Sequence, residues 1–106
     1  MRRGDVYRLR LRKRDGHEQQ HGVRFGVVVQ SDAFLPRSTV LIAPTSRAAR
    51  PASFRPEVDV DRDVTCVLVE QMGAVDTTRL GDLAGHLTPA EMWGVDLALE
   101  TVLDLT

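Results

Sequence analysis

The chain has 106 residues, of which 42% are hydrophobic and 27% charged, with a single Cys. This length suits one domain over residues 1–106, and the hydrophobic fraction is too high for a disordered chain. The lone Cys66 excludes a disulfide framework and a multi-cysteine metal site. No apolar run approaches the ~20 residues that span a bilayer, and no signal peptide is apparent, so we expect a cytoplasmic protein without a membrane segment.

The net charge of −1 hides a strong asymmetry between the two halves of the chain. Residues 1–56 carry twelve Lys or Arg and four Asp or Glu, a net charge of +8, whereas residues 57–106 carry two and eleven, a net charge of −9. The basic half predicts a surface for an anionic partner. The alternative is that the two halves neutralise each other within one fold, and charge alone does not separate these interpretations.

Strand patterns dominate the chain up to residue 69. Residues 7–12 alternate apolar and basic side chains, which predicts a half-buried strand whose basic outer face includes Arg8, Arg10 and Arg12. Residues 13–23 are polar and contain glycine, which predicts a loop. Further strands are predicted at residues 24–30, 39–45, 55–61 and 65–69, the third of them with an acidic outer face.

The last third of the chain combines an irregular stretch with a clear helix. Residues 77–87 are broken by two glycines and predict no regular element. Earlier in the chain, Pro44 is expected to end or bulge the strand predicted at 39–45. Thr88-Pro89-Ala90-Glu91 matches a capping box with proline at the first helical position. An apolar stripe of Met92, Val95, Leu99 and Val102 then predicts a helix ending near Leu103. Five or so strands and a terminal helix predict a small barrel-like β fold.

Four short motifs follow one another in an order and spacing that are informative together, although each is weak alone. They are Arg3-Gly4-Asp5-Val6-Tyr7, Glu18-Gln19 before Gly22-Val23-Arg24, Thr45 at the end of a strand, and Glu70-Gln71 before Val75-Asp76 and Arg79-Leu80. This set resembles the MazF/PemK family of toxin–antitoxin endoribonucleases over nearly the whole chain. The resemblance implies a mainly β (α+β) fold, an SH3-like β-barrel of the CcdB/PemK type with about five to seven strands and a C-terminal α-helix.

The resemblance also implies an activity and partners. The family consists of sequence-specific, ribosome-independent mRNA interferases, which cleave single-stranded RNA by 2′-OH attack and leave a 2′,3′-cyclic phosphate and a 5′-OH. We therefore expect a metal-independent endoribonuclease without a cofactor, acting as a homodimer and neutralised by a cognate MazE-like antitoxin.

Two residues match the family's catalytic positions. Arg24 presents a permanently charged fork of donors that can stabilise charge on a phosphate, and the Thr45 hydroxyl can donate to another phosphate oxygen. Substrate-binding positions are expected at Arg10, Glu18, Gln19, Ser46, Arg47 and Gln71. His17 and His21 could form an acid–base pair, but the family uses none here, which favours a solvated loop. The histidines and Cys66 lack metal-ligand spacing, so we expect no metal site.

Two departures from the family pattern leave alternatives open. Phe25 stands where members usually have proline, and Gly73 where many have arginine. The first touches the geometry of Arg24 and the second the RNA contacts near Gln71. A catalytically weakened family member is therefore one alternative. A non-enzymatic CcdB-like toxin that binds DNA gyrase is another, although such a toxin does not need the pair Arg24 and Thr45.

Overall fold

The computed structural model describes residues 1–10 and 24–105. Within these residues, seven strands form one sheet and a single α-helix follows them. The strands are β1 Asp5–Leu9, β2 Arg24–Val28, β3 Thr39–Ser46, β4 Glu57–Val60, β5 Asp63–Val67, β6 Gly73–Asp76 and β7 Leu80–His86, and helix α1 is Pro89–Leu103. Their order in the sheet is β4-β5-β3-β2-β1-β7, with β6 also paired to β3 and every pair antiparallel. The predicted fold class is confirmed.

The central strands bury apolar side chains on both faces of the sheet. Val27 and Ala43 are opposite each other on β2 and β3 and belong to the main core, which also contains Val95 of α1. The next pair, Val28 and Ile42, belongs to a second cluster on the other face. Because both faces are covered, these strands read as continuous apolar runs in the sequence.

Strand β3 continues through Pro44 to Ser46, so the expectation that proline ends or bulges this strand is wrong. Pro44 pairs with Gly26 of β2, while its carbonyl accepts a hydrogen bond of 2.8 Å from Leu68 N–H on the other edge. On that edge β3 pairs with β6 through Ile42 and with β5 from Thr45 onward. The missing proline N–H therefore falls at the point where β3 changes its partner, so no regular ladder bond is lost.

The basic outer face predicted for the first strand is only partly present. Strand β1 ends at Leu9, and Arg8 lies on the face that also carries the buried Val6. The Arg8 guanidinium lies 5.3 Å from the centre of the Phe25 ring and 3.2 Å from Asp61 in the turn between β4 and β5. This contact requires the sheet to curl into a half-barrel, because β2 and β3 separate β1 from β5. Leu11 and Arg12 lie outside the described residues.

Two further expectations need correction beyond residue 60. The strand predicted at 65–69 is β5, which stops at Val67 and gives way to a 3₁₀ turn over Val69–Gln71. Residues 77–87, predicted to be irregular, contain the seven-residue strand β7 paired with β1. Two register shifts interrupt that pairing, which explains why β7 shows no alternation in its sequence. The loop predicted at 13–23 lies outside the described residues.

Helix α1 begins and ends as predicted. The Thr88 hydroxyl accepts from Glu91 N–H at 3.1 Å, and the Glu91 carboxylate accepts from Thr88 N–H at 2.9 Å, which completes the capping box. Val95 is fully buried, and Met92, Leu99 and Val102 pack against the same core. No helix in the described ranges has the length and apolar character needed to cross a bilayer.

Ion pairs join the basic half of the chain to the acidic half. Four Arg–carboxylate pairs connect them at 2.7 to 3.2 Å: Arg3–Asp96, Arg8–Asp61, Arg47–Asp63 and Arg55–Glu70. For these residues, mutual neutralisation within one fold is the correct interpretation of the charge asymmetry.

The close approach of β1, β2 and β3 at Gly26 yields a stability prediction. A Cβ at Gly26 would collide with Cγ2 of Ile42 and approach both methyl groups of Leu9. We expect Gly26→Ala to lower the free energy of unfolding by about 1–3 kcal/mol through overpacking, as measured by urea denaturation. Gly85→Ala in β7 is the matched control, because a Cβ there meets no atom within 4 Å. Equal stability of the two variants would contradict this packing account.

Candidate active site

A groove of about 210 Å³ opens on the face of the sheet that is opposite to α1. Its apolar floor is formed by Leu9 of β1, Ile42 and Pro44 of β3, and Val75 of β6. Because Gly26 has no side chain, Leu9 and Ile42 fill the space above it on the groove face. The floor is therefore built on the paired central strands, which hold it rigidly.

Three polar side chains and a glycine complete the groove: Arg24, Gln71, Arg79 and Gly73. Arg24 is the first residue of β2, while Gln71 ends the 3₁₀ turn Val69–Gln71 and Arg79 ends another 3₁₀ turn at Thr77–Arg79. The Arg79 carbonyl accepts a hydrogen bond of 2.8 Å from Arg10 N–H, which ties this turn to the end of β1. Two guanidinium groups thus share one apolar-floored groove with an amide, a combination suited to a phosphate and an attached base.

The turn that carries Gln71 is anchored by an ion pair behind it. Arg55 donates from Nε and Nη2 to the same Glu70 oxygen at 2.9 and 2.7 Å, and it also lies 5.2 Å from the centre of the Phe54 ring. Burial raises the pKa of Glu70, but the hydrogen bonds from Arg55 outweigh it and lower the net value below 4.5. Glu70 is therefore held ionised, and it fixes the backbone next to Gln71.

The groove brings together two of the predicted site residues, Arg24 and Gln71. Thr45 follows the groove residue Pro44 directly, but its side chain is 4% exposed and does not line the groove. Strand alternation places Thr45 on the same face as Ala43, which belongs to the core beneath α1. The catalytic assignment of Thr45 therefore stays a prediction.

The remaining predicted substrate-binding residues lie outside the groove or outside the described residues. The Ser46 hydroxyl accepts from the N–H groups of Ala48 and Ala49, each at 3.2 Å, and orders the turn after β3. Arg47 is paired with Asp63 at 3.1 Å, and the Arg10 side chain is exposed beyond the end of β1. Glu18 and Gln19 lie outside the described residues, as do His17 and His21.

The two departures from the family pattern have different structural consequences. Phe25 is an ordinary strand residue that pairs with Arg8 and packs against the main core, on the opposite face from Arg24. Its ring therefore leaves Arg24 in the groove. Gly73 lines the groove, and a Cβ there would meet no atom within 4 Å. The arginine that many members carry would have open space at this position.

Arg79 belongs to the fourth sequence motif but was not predicted as a site residue, although its position in an acidic segment also pointed to it. Arg62 and Arg79 are the only Lys or Arg residues in 57–106. An isolated positive charge in an acidic segment indicates a specific role. Arg62 lies exposed in the turn between β4 and β5, whereas Arg79 is half-buried and lines the groove.

The Arg-Gly-Asp motif at the N-terminus has a structural role in this fold. The buried Asp5 carboxylate accepts from Arg2 N–H at 2.8 Å and is bonded to His86 Nδ1 at 2.7 Å. Gly4 has a φ of +93°, a conformation that favours glycine. In the ranges 1–10 and 24–105, no three His, Cys, Asp or Glu side chains are grouped as metal ligands would be.

The fold and groove define a small β-barrel protein with a cationic cleft, and comparisons with known proteins assign its family. Residues 2–103 match the family described as "PemK-like, MazF-like toxin of type II toxin-antitoxin system", and the chain belongs to this family. It is 35% identical to the Endoribonuclease EndoA of Bacillus subtilis, over 99% of this chain and 96% of the relative. It is 34% identical to the Endoribonuclease MazF of Staphylococcus epidermidis, over 99% and 92%.

A solved structure supports the same fold. The structure titled "Endoribonuclease in complex with its cognate antitoxin from Mycobacterial species" superposes with a TM-score of 0.80, covering 100% of this chain and 97% of that one at 24% identity. The resemblance to the MazF/PemK family is thereby confirmed.

The bond between Asp5 and His86 predicts a pH dependence of stability. Burial raises the pKa of Asp5, but the hydrogen bonds from His86 and Arg2 outweigh it and lower the net value below 3.8. The stabilisation is therefore present above pH 3.8 and is lost as the pH falls through the lowered folded-state pKa. We expect Asp5→Asn to lower the free energy of unfolding by about 1–3 kcal/mol at pH 7.

Urea denaturation from pH 7 to pH 2.5 measures this difference. It should shrink in the most acidic part of the range, where wild type loses its ionised carboxylate and the variant has none to lose. A difference that is constant down to pH 2.5 would show that the charge of Asp5 does not contribute.

Proposed function

We propose that this protein is the toxin of a toxin–antitoxin pair and that it cleaves single-stranded RNA in the groove that holds Arg24. The observation that carries the proposal is the placement of Arg24 and Gln71 on one apolar-floored groove. Family membership and relatives named as endoribonucleases support this activity over the gyrase-binding alternative.

The proposed reaction is an internal transfer at one phosphodiester. The 2′-oxygen of the ribose forms a bond to phosphorus while the bond from phosphorus to the 5′-oxygen breaks. The proton of the 2′-OH is lost and the leaving 5′-oxygen gains one, so the products are a 2′,3′-cyclic phosphate and a 5′-OH. Arg24 stabilises the negative charge that builds on the phosphoryl oxygens, which needs a fixed cation rather than a metal ion.

The other groove residues contribute binding. Gln71 supplies an amide that can both donate and accept a hydrogen bond, as recognition of a base edge requires. The apolar floor of Leu9, Ile42 and Val75 covers one face of a base and excludes water from it. Because these residues are held by the sheet, little ordering cost is left for binding.

The proposal includes the partners that the family implies. These are a cognate MazE-like antitoxin, a second copy of the chain in a homodimer, and mRNA in the cytoplasm. One solved structure of the same fold is that of an endoribonuclease in complex with its cognate antitoxin, which supports the first of them. Light scattering of the purified protein at micromolar concentration should give the mass of a dimer, and a monomer would contradict that part.

Cleavage of a long single-stranded RNA in the presence of EDTA tests the activity. We expect cleavage to persist with the chelator, and the fragments to carry 5′-OH ends that a kinase can label without prior dephosphorylation. We expect Arg24→Ala to lower the single-turnover rate by roughly 10²–10³, with a smaller loss of affinity. Arg62→Ala is the matched control, because it removes an exposed arginine that does not line the groove.

Five results would contradict the proposal. Loss of cleavage with EDTA or fragments with 5′-phosphates would exclude the mechanism. An Arg24→Ala variant that cleaves at the wild-type rate would exclude Arg24. Intact RNA together with inhibited DNA supercoiling would favour the gyrase-binding alternative, and intact RNA with no effect on supercoiling would favour a catalytically weakened member.

Thr45 is tested by two conservative variants. Thr45→Val keeps the shape and removes the hydroxyl, whereas Thr45→Ser keeps the hydroxyl. If the hydroxyl takes part in the reaction, Thr45→Val slows cleavage by roughly 10²-fold or more while Thr45→Ser stays close to wild type. Because Thr45 is buried, both variants need a thermal melt. Equal cleavage rates for valine and serine would remove Thr45 from the catalytic set.

A further inference from the structure

Arg79 carries a buried hydrogen-bond donor that is left without a partner. Its Nε is buried, and no acceptor among residues 1–10 and 24–105 bonds to it. Two other buried side-chain atoms in these ranges are also unpaired, on Thr65 and Glu70, but neither residue lines the groove. An unpaired buried donor is costly, so its presence at a binding surface calls for an explanation.

The carboxylate three residues before Arg79, that of Asp76, is committed elsewhere. Asp76 accepts from the N–H and the hydroxyl of Thr78, both at 2.9 Å, and so caps the 3₁₀ turn that ends at Arg79. These bonds lower the pKa of Asp76, which stays ionised and keeps the turn in place. In the described part of the chain, Arg79 has no ion pair, whereas Arg3, Arg8, Arg47 and Arg55 each have one.

We propose that Arg79 is a phosphate-binding residue of the groove. One nucleotide of the RNA binds there, with its phosphate on Arg79 and its base on the floor of Leu9, Ile42 and Val75. This inference rests on the proposed function. A phosphate in the groove offers acceptor oxygens in a geometry that a guanidinium matches, and the buried Nε would reach them once the Arg79 side chain turns toward the groove. The groove of about 210 Å³ has room for a base on its apolar floor.

Gly73 keeps this space open. It pairs with Ile42 on the floor, and no atom lies within 4 Å of the position of a Cβ. A leucine here has room for its Cβ and would extend into the groove that Gly73 lines. Gly73→Leu therefore blocks the proposed nucleotide while leaving Arg79 in place.

The test compares Arg79→Gln, Arg79→Lys and Gly73→Leu with Arg62→Gln as the matched control. The ligand is a single-stranded oligonucleotide made entirely of deoxynucleotides, so that it binds without reacting. It carries the mapped cleavage sequence if wild type cleaves RNA and a mixed sequence if it does not. We expect Arg79→Gln to weaken binding by roughly 10- to 100-fold and to flatten the slope of log affinity against log salt by about 0.7, the value for one phosphate contact on a single strand. Arg79→Lys should keep the salt slope and lose part of the affinity, because it retains the charge without the fork.

A merely structural role for Arg79 would give a different pattern. It would lower the melting temperature of Arg79→Gln and leave the salt slope at the wild-type value, as in Arg62→Gln, and this result would overturn the inference. Unchanged binding by Gly73→Leu would show that the nucleotide lies elsewhere, and this result would also overturn the inference. If wild type cleaves RNA and Arg79→Gln binds like wild type, the inference fails alone. If wild type binds the oligonucleotide through Arg79 but cleaves no RNA, the proposed function fails alone.

Discussion

Gly26 and Pro44 face each other in the middle of the sheet, and this pair constrains the rest of the molecule. The absent Cβ of Gly26 lets Leu9 and Ile42 close over β2. On the edge of β3 that faces away from β2, Pro44 marks the point where β3 changes its partner from β6 to β5. The change turns the sheet into a half-barrel, and it leaves the turn of Gln71 beside the end of β2 that carries Arg24. A side chain at position 26 would force these strands apart and disturb both the curl and the groove floor.

Strand alternation then divides the sheet into a face that packs against α1 and a face that carries the groove. Val27 and Ala43 face α1 and the main core, while Arg24 and Ile42 face the groove. Phe25 illustrates the division, because it replaces the proline usual in the family yet packs on the core side under Arg8. A substitution on the core side of the sheet, such as that at Phe25, therefore does not place a side chain in the groove. The bond between Asp5 and His86 and the capping box of α1 similarly act far from the groove.

Much of this fold could be predicted from the sequence, because local signals decided it. The apolar runs of β2 and β3 and the capping box of α1 each depend on neighbouring residues alone. Strand β7 could not be predicted, because its pairing with β1 is interrupted by two register shifts and its side chains do not alternate. The contact of Arg8 with Asp61 also depends on the curl of the sheet, which no local pattern reveals.

The candidate groove could be predicted only in part, and the roles of its residues stay predictions. Arg24 and Gln71, which were predicted as site residues, line the groove. Arg79 belongs to the fourth motif but was given no role there, and it reaches the groove from a turn capped by Asp76. Thr45 is the opposite case, because it matches a family position but is buried and does not line the groove. Its orientation follows from alternation around Pro44, which a motif does not encode.

The central claim is that RNA reacts through its 2′-OH while it lies on the groove of Arg24, Gln71 and Arg79. The most direct test is an NMR titration with an RNA oligonucleotide that carries one 2′-deoxy substitution at the mapped cleavage site. The account predicts that this RNA stays intact and that the signals of the Gln71 amide and of the Nε–H groups of Arg24 and Arg79 shift, while those of the outer face of α1 do not. Cleavage at the substituted bond, or shifts confined to α1, would contradict it.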